Sequence, residues 1–227
     1  DDGQVAPRVS SPVLVGRTHE LAELHAAVER ARSGSSAAVV LAGEAGVGKT
    51  RLLGELRGQV GDHGVLTLSG GCLDIGDGVV AFAPVVEALR PLPGLLEATE
   101  LERVLGGARA ELARLVPELE VADRPVGALP PERLFELLLG ALRRLAEHRT
   151  VLLLIEDVHW ADRSTRDLLG FLIRNLPGGI ALVITYRSDE LHRRHPLRPF
   201  LAEVERSGKA DRLDVGRLHR RELVDLL

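Results

Sequence analysis

The chain has 227 residues, of which 45% are hydrophobic and 27% are charged, and its formal net charge is −4 at pH 7. This length and composition are typical of one large globular domain, or of one domain with a small appendage. The acidic balance argues against a chain whose main task is to coat nucleic acid or an anionic membrane. No apolar run approaches the ~18 residues of a transmembrane helix, so we expect no membrane contact.

The first residues of the chain and its cysteine content indicate the cellular compartment in which we expect the protein. Cys72 is the single cysteine and cannot form an internal disulfide, which fits a reducing cytoplasm. The polar residues 1–12 show no signal-peptide architecture, and we expect them to form a flexible lead-in. Because the sequence contains no methionine, we also expect it to be a piece of a longer protein.

The first predicted elements are a helix and a buried strand. Thr18 is the predicted N-cap of the helix. Its apolar stripe has helical spacing and consists of Leu21, Leu24, Val28 and Ala31. The apolar run 37–42 predicts the strand. A second helix is predicted at about residues 49–60, and a second strand at 65–68.

A glycine-rich segment joins the first strand to the second helix and fits the P-loop pattern G-x-x-x-x-G-K-[ST]. It consists of Gly43, Glu44, Ala45, Gly46, Val47, Gly48, Lys49 and Thr50, and Arg51 follows it. The glycines let the backbone wrap a phosphate chain with its N–H groups inward, and the start of the helix adds unpaired donors. The ammonium of Lys49 can reach the β- and γ-phosphates, and the hydroxyl of Thr50 can ligate Mg²⁺. The segment therefore predicts nucleotide binding.

Residues 71–150 are predicted to form a helical insertion between the second and third strands. Apolar spacing predicts a helix over 82–89, one or two helices over 95–116, and a strong helix through Glu147 that has Pro131 in its first turn. The sequence leaves open whether this insertion is plain helical packing, a regulatory surface or the acceptor pocket of a kinase.

Two carboxylates follow the third predicted strand, 151–155. Glu156 and Asp157 emerge at its carboxyl end, the edge at which open α/β sheets bind ligands. One acid can hold the Mg²⁺ shell and the other can polarise the attacking water. By position we assign the metal role to Glu156 and the water role to Asp157.

The remaining elements alternate between helix and strand. A helix over about 164–175, with Asp162 at its start, precedes a fourth strand at 181–185. Arg187 follows that strand and can report on the γ-phosphate, because a guanidinium suits a spread negative charge. A helix at about 197–206 and a strand at 211–215 complete an α/β doubly wound sheet.

Together these motifs resemble the ATPase module of STAND-type NTPases, which are multidomain signal-transduction ATPases with an AAA+-like domain. The resemblance is strongest to the large ATP-binding regulators of the LuxR type. It covers about residues 13–227 and rests on four motifs: Val15-Gly16-Arg17, GEAGVGKTRLL, LLLIEDVHWAD and VITYR. The commoner pattern in the family has two aspartates where Glu156 and Asp157 stand.

The resemblance implies a P-loop NTPase fold with five parallel strands in the order 5-1-4-3-2, spanning residues 13–215. It implies that ATP or ADP binds with Mg²⁺, that Val15, Gly16 and Arg17 lie near the adenine, and that Arg187 is the sensor. Residues 216–227 are similar to the start of the family's helical lid. Self-association or a regulatory protein partner is expected, and any DNA binding would belong to other domains.

The predicted function is therefore an ATP-binding and slowly hydrolysing switch domain of a bacterial transcriptional regulator. Three alternatives share the same P-loop: a nucleotide-binding scaffold without hydrolysis, a small-molecule kinase, and a DNA-loading ATPase. The acidic net charge argues against the last.

Overall fold

The computed structural model describes residues 15–73, 81–119 and 129–218, so the predicted lead-in 1–12 lies outside the described residues. Five parallel strands form its sheet: β1 (Ala37–Gly43), β2 (Leu66–Gly71), β3 (Val151–Glu156), β4 (Ile180–Arg187) and β5 (Asp211–Val215). Their order across the sheet is β2-β3-β4-β1-β5. This is the predicted order 5-1-4-3-2 counted from the opposite edge, and the fold prediction is confirmed.

Helices connect the strands and cover the sheet. They are α1 (Thr18–Arg32), α2 (Lys49–Gly61), α3 (Ala83–Leu89), α4 (Leu92–Leu95), α5 (Ala98–Leu105), α6 (Arg109–Leu112), α7 (Pro131–Ala146), α8 (Arg163–Asn175) and α9 (Leu197–Ser207). Within the described ranges, none of them has both the length and the apolar character needed to cross a bilayer.

The sheet separates two hydrophobic cores, because alternate side chains of each strand point to opposite faces. Along β1, Val40 joins the larger core, whereas Val39 and Leu41 join the smaller one. Helices α1 and α2 cover the smaller core, and α3 to α9 cover the larger. Burial on both faces explains why the strand 151–155 reads as a continuous apolar run.

The helical insertion packs on the larger core and approaches the sheet closely through α3. At Gly70 of β2, an added Cβ would lie 1.8 Å from the carbonyl oxygen of Pro84. Further along, Arg144 of α7 donates through Nε to the carbonyl of Val104 at 2.6 Å, where α5 ends. The side chain of one helix thereby satisfies a carbonyl at the end of another, as helix ends require.

Two of the predicted helix starts can be compared with the structure. Asp162 caps α8, since its Oδ1 accepts from the N–H of Thr165 at 3.1 Å. The prediction for Thr18 is wrong: Arg17 is the N-cap of α1, and no side-chain cap hydrogen bond forms there. The local sequence does not indicate this difference, because Arg17 is held by residues that are distant in the chain, Val47 and Gly216.

Candidate functional site

The carboxyl ends of the parallel strands meet at one edge and assemble the predicted site. Gly43, at the start of the P-loop, pairs with Arg187 in the β1–β4 register. Strand β4 also pairs with β3, which ends at Glu156. Because β4 lies between β1 and β3, Arg187 stands between the glycine-rich loop and the acidic residues.

The P-loop adopts backbone conformations that only glycine takes readily. Gly46 has a φ of 75° and Gly48 a φ of 100°, and Gly48 is the N-cap of α2. The tip of the loop, at Ala45 and Gly46, is exposed. The open N-terminus of α2 and the exposed loop amides are the groups that bind phosphate oxygens in such loops.

Lys49 is folded back onto the loop that carries it. Its Nζ donates to the carbonyl oxygens of Gly43 at 2.8 Å and Glu44 at 2.9 Å, and the residue is 7% exposed. Burial lowers the pKa of Lys49, while the carboxylate of Asp157 acts in the opposite direction. An ammonium held by neutral carbonyls can exchange them for phosphate oxygens, which bind it more strongly.

Thr50 and Glu156 lie side by side across the site. The hydroxyl of Thr50 donates to Oε2 of Glu156 at 2.8 Å, although the residues are 106 positions apart in sequence. Hydroxyl and carboxylate oxygens are the hard ligands that Mg²⁺ prefers. No cluster of three or more His, Cys, Asp or Glu residues that could hold a metal occurs in the described ranges.

Asp157 begins the turn after β3 and has an unusual backbone. Its φ is 56°, a left-handed conformation that Asp adopts more readily than most residues. Its N–H donates to the hydroxyl of Thr185 on β4 at 3.0 Å, which fixes this turn against the neighbouring strand. Its Oδ1 lies 3.7 Å from Nε of Arg187, so the carboxylate faces the same edge as the loop.

Arg187 contacts Glu190 and Trp160 in addition to Asp157. Its Nη1 donates to Oε1 of Glu190 at 2.7 Å, and its guanidinium carbon lies 4.7 Å from the ring centroid of Trp160. The hydrogen bond with Glu190 is the main reason that the pKa of Arg187 is raised. Trp160 also packs against the larger core, so the predicted sensor contacts a side chain that the core supports.

His159 is a site residue that sequence reasoning did not single out. The residue is 4% exposed, and its Nε2 lies 3.3 Å from Oε2 of Glu190 in a geometry that does not form a hydrogen bond. Burial lowers the pKa of His159, against the opposing effects of Asp157 and Glu190. Its position in the turn after an acidic strand was the available signal.

Arg17 links three separate parts of the chain. It is 5% exposed, and its Nη2 donates to the carbonyl oxygens of Val47 at 3.0 Å and Gly216 at 2.5 Å. Its Nη1 donates to Glu20 at 2.8 Å. Arg17 therefore ties the start of α1 to the P-loop and to the segment after β5. Val15 and Gly16 precede it and are half-buried, and their predicted place near the adenine stays a prediction.

Replacing Arg17 by Ala should destabilise the protein by about 3 kcal/mol, because it leaves Glu20 and two partly buried carbonyls without their partner. The free energy of unfolding in urea is the measurement. Arg57→Ala is the matched control, since Arg57 lies exposed on α2 and should change stability by less than about 0.5 kcal/mol. Equal effects of the two substitutions would contradict a structural role for Arg17.

The sheet order, the glycine-rich loop and the facing acids define the chain as a P-loop nucleotide-binding domain. A family model described as an AAA ATPase domain matches residues 13–185. This match covers most of the chain, which therefore belongs to the AAA ATPase domain family.

Known relatives agree at the level of the fold. The crystal structure of Cdc6p from Pyrobaculum aerophilum is 16% identical with a TM-score of 0.55, and the match covers 96% of this chain and 50% of that one. The structure of the Aeropyrum pernix Orc1 protein in complex with DNA is 19% identical with a TM-score of 0.51. That match covers 98% of this chain and 50% of the other one.

A curated relative also matches in sequence. An uncharacterized protein of Rhizobium meliloti (strain 1021) is 27% identical over 224 residues, and the match covers 87% of this chain. The chain spans 21% of the length of that protein.

Proposed function

We propose that this chain is the ATP-binding and slowly hydrolysing switch domain of a bacterial multidomain regulator of the LuxR type, within the STAND class. One observation carries the nucleotide part of the proposal: the hydroxyl of Thr50 and the carboxylate of Glu156 meet at 2.8 Å. This contact brings the end of the P-loop against the acidic strand, so that both oxygens can face one Mg²⁺ beside the phosphates.

Different residues of the chain have different roles in phosphoryl transfer to water. The amides of residues 43–50 hold the phosphates, and Lys49 releases its carbonyl partners to bind the β- and γ-phosphate oxygens. Asp157 orients the attacking water and accepts its proton. Arg187 balances charge on the γ-phosphate. Thr50 and Glu156 would hold Mg²⁺, which would neutralise part of the phosphate charge.

The switch part of the proposal is supported by the segment that leaves β5. The carbonyl of Gly216 accepts from Arg17, and Arg217 pairs with Glu44 of the P-loop at 2.5 Å. A change in the loop on nucleotide binding would therefore reach the residues that follow the sheet. A nucleotide switches a protein only if it binds two conformational states with different affinities. These contacts connect the P-loop to the segment after β5, so that the two states can differ in that segment.

The remaining features of the proposal come from the resemblance and from the length of the curated relative. We assign a cytoplasmic location, self-association or a regulatory protein as partner, and DNA contact only through other domains. Slow turnover is expected of the isolated domain, because an arginine supplied by a neighbouring molecule can be worth ~10³–10⁵ in rate.

A thermal-shift titration with Mg-ATP tests nucleotide binding. At a ligand concentration of 100 times Kd, binding adds about 2.7 kcal/mol, which raises the Tm by roughly 5–10 °C for a chain of this size. Lys49→Ala should abolish most of this shift, because it removes the only side-chain cation of the P-loop segment 43–50.

Lys209→Ala is the matched control, since Lys209 is exposed in the turn after α9 and is the only other lysine of the chain. It should keep the full shift. A flat response of the wild-type protein would overturn the proposal. Transfer of the γ-phosphate to an acceptor other than water would favour the small-molecule kinase instead.

A further inference from the structure

The segment after β4 runs directly beside the P-loop. The N–H of Ser188 donates to the carbonyl of Gly43 at 3.2 Å, which continues the β1–β4 pairing past Arg187. The next residue reaches the loop itself: Oδ1 of Asp189 accepts from the N–H of Ala45 at 3.0 Å. A carboxylate is thus bonded to a main-chain amide at the exposed tip of the phosphate-binding loop.

The following residue holds the predicted sensor. Oε1 of Glu190 accepts from Nη1 of Arg187 at 2.7 Å, and its Oε2 lies 3.3 Å from Nε2 of the buried His159. Asp189 and Glu190, here called the 189–190 acid pair, therefore engage one P-loop amide and one guanidinium from adjacent positions.

Both donors engaged by the acid pair are groups that bind phosphate in a P-loop site. Main-chain N–H groups of the loop cradle phosphate oxygens, and a guanidinium binds them through its planar fork. The carboxylates also act on Lys49: burial lowers its pKa, and Asp189 and Glu190 are among the groups that oppose this effect. The acid pair consequently places negative charge beside the two donor groups that a γ-phosphate would bind.

We propose that the 189–190 acid pair competes with the terminal phosphate of the nucleotide for the amide of Ala45 and the guanidinium of Arg187. This inference rests on the proposed function and adds to it a built-in competitor that sets the affinity for the triphosphate. A γ-phosphate brings negative charge next to two carboxylates, and like charges at short range repel each other. Triphosphate binding must therefore turn both side chains away, whereas a diphosphate leaves them in place.

The contact between Asp189 and the loop can be measured without any nucleotide. Asp189→Ala removes the acceptor, and the amide of Ala45 should then exchange its hydrogen about two- to tenfold faster, as read by NMR. Asp62→Ala is the matched control, because Asp62 is exposed at the far end of α2, about 20 Å along the helix from Lys49. An unchanged exchange rate in Asp189→Ala would overturn the proposed contact, whatever the protein binds.

Competition is then tested by the Kd for Mg-ATP and for Mg-ADP. Asp189→Ala and Glu190→Gln should each tighten Mg-ATP by about three- to tenfold, with a smaller change for Mg-ADP. Asp62→Ala should change neither.

The failing outcomes separate this inference from the proposed function. If the wild-type protein binds Mg-ATP and both variants bind it equally well or more weakly, the competition is overturned while the nucleotide site stands. If neither the wild-type protein nor the variants bind Mg-ATP, the nucleotide site is overturned and the competition falls with it.

Discussion

Asp157→Asn should reduce the rate of phosphate release from Mg-ATP by about 10²–10⁴-fold, because an amide cannot accept the proton of the attacking water. The carboxylate faces the loop from the turn after β3, and that turn is fixed through its N–H to Thr185. Asn keeps the side-chain size and tolerates the same left-handed backbone, so the turn should persist. Single-turnover phosphate release with excess protein is the measurement.

Asp167→Asn is the control for this prediction, since Asp167 is an exposed acid on α8 outside the site. Its rate should equal that of the wild-type protein. Equal rates for Asp157→Asn and the wild-type protein would contradict the role of Asp157. Binding of Mg-ATP without any phosphate release by the wild-type protein would favour the non-hydrolysing scaffold.

Gly70→Ala should destabilise the protein by about 3 kcal/mol or more, because the new methyl would collide with main-chain atoms and not with a movable side chain. An added Cβ lies 1.8 Å from the carbonyl oxygen of Pro84 and 2.7 Å from its carbonyl carbon. Either α3 or β2 would have to move. For a chain of this size we expect the Tm to fall by roughly 6–12 °C, measured by calorimetry.

Gly71→Ala is the matched control, because it makes the same substitution at the next residue. Gly71 lies on the same strand, and a Cβ added there meets no atom within 4 Å. Gly71→Ala should leave the Tm within about 2 °C of the wild-type value. A similar loss in both variants would show that the strand, and not the contact with α3, is the sensitive feature.

The sheet could be predicted from the sequence because its central strands are buried on both faces. The residues 151–155 and 181–184 are apolar without interruption, and both predicted strands are confirmed within one or two residues. The order of strands came from the resemblance, since apolar runs alone do not specify neighbours. Helix α4 was not predicted, because Pro91 and Pro93 lie at its start and proline is a residue that usually ends or interrupts a helix.

The side-chain contacts of the site could not be predicted in the same way. The glycine-rich loop and the acids were recognisable as local patterns, and parallel strands place both at one edge. In contrast, Asp189 meets Ala45 across 144 positions of sequence, and Arg17 meets Gly216 across 199. Such contacts depend on the register between strands and on the path of loops, and neither leaves a local signal.

A protease that cuts between Val215 and Gly216 would detach a carbonyl on which the buried guanidinium of Arg17 depends. The smallest unit able to fold alone should therefore reach past the last strand, even though Arg217 itself is exposed and its pair with Glu44 contributes little. The rate at which trypsin cuts after Arg217 would then report how tightly the segment after β5 is held against the P-loop.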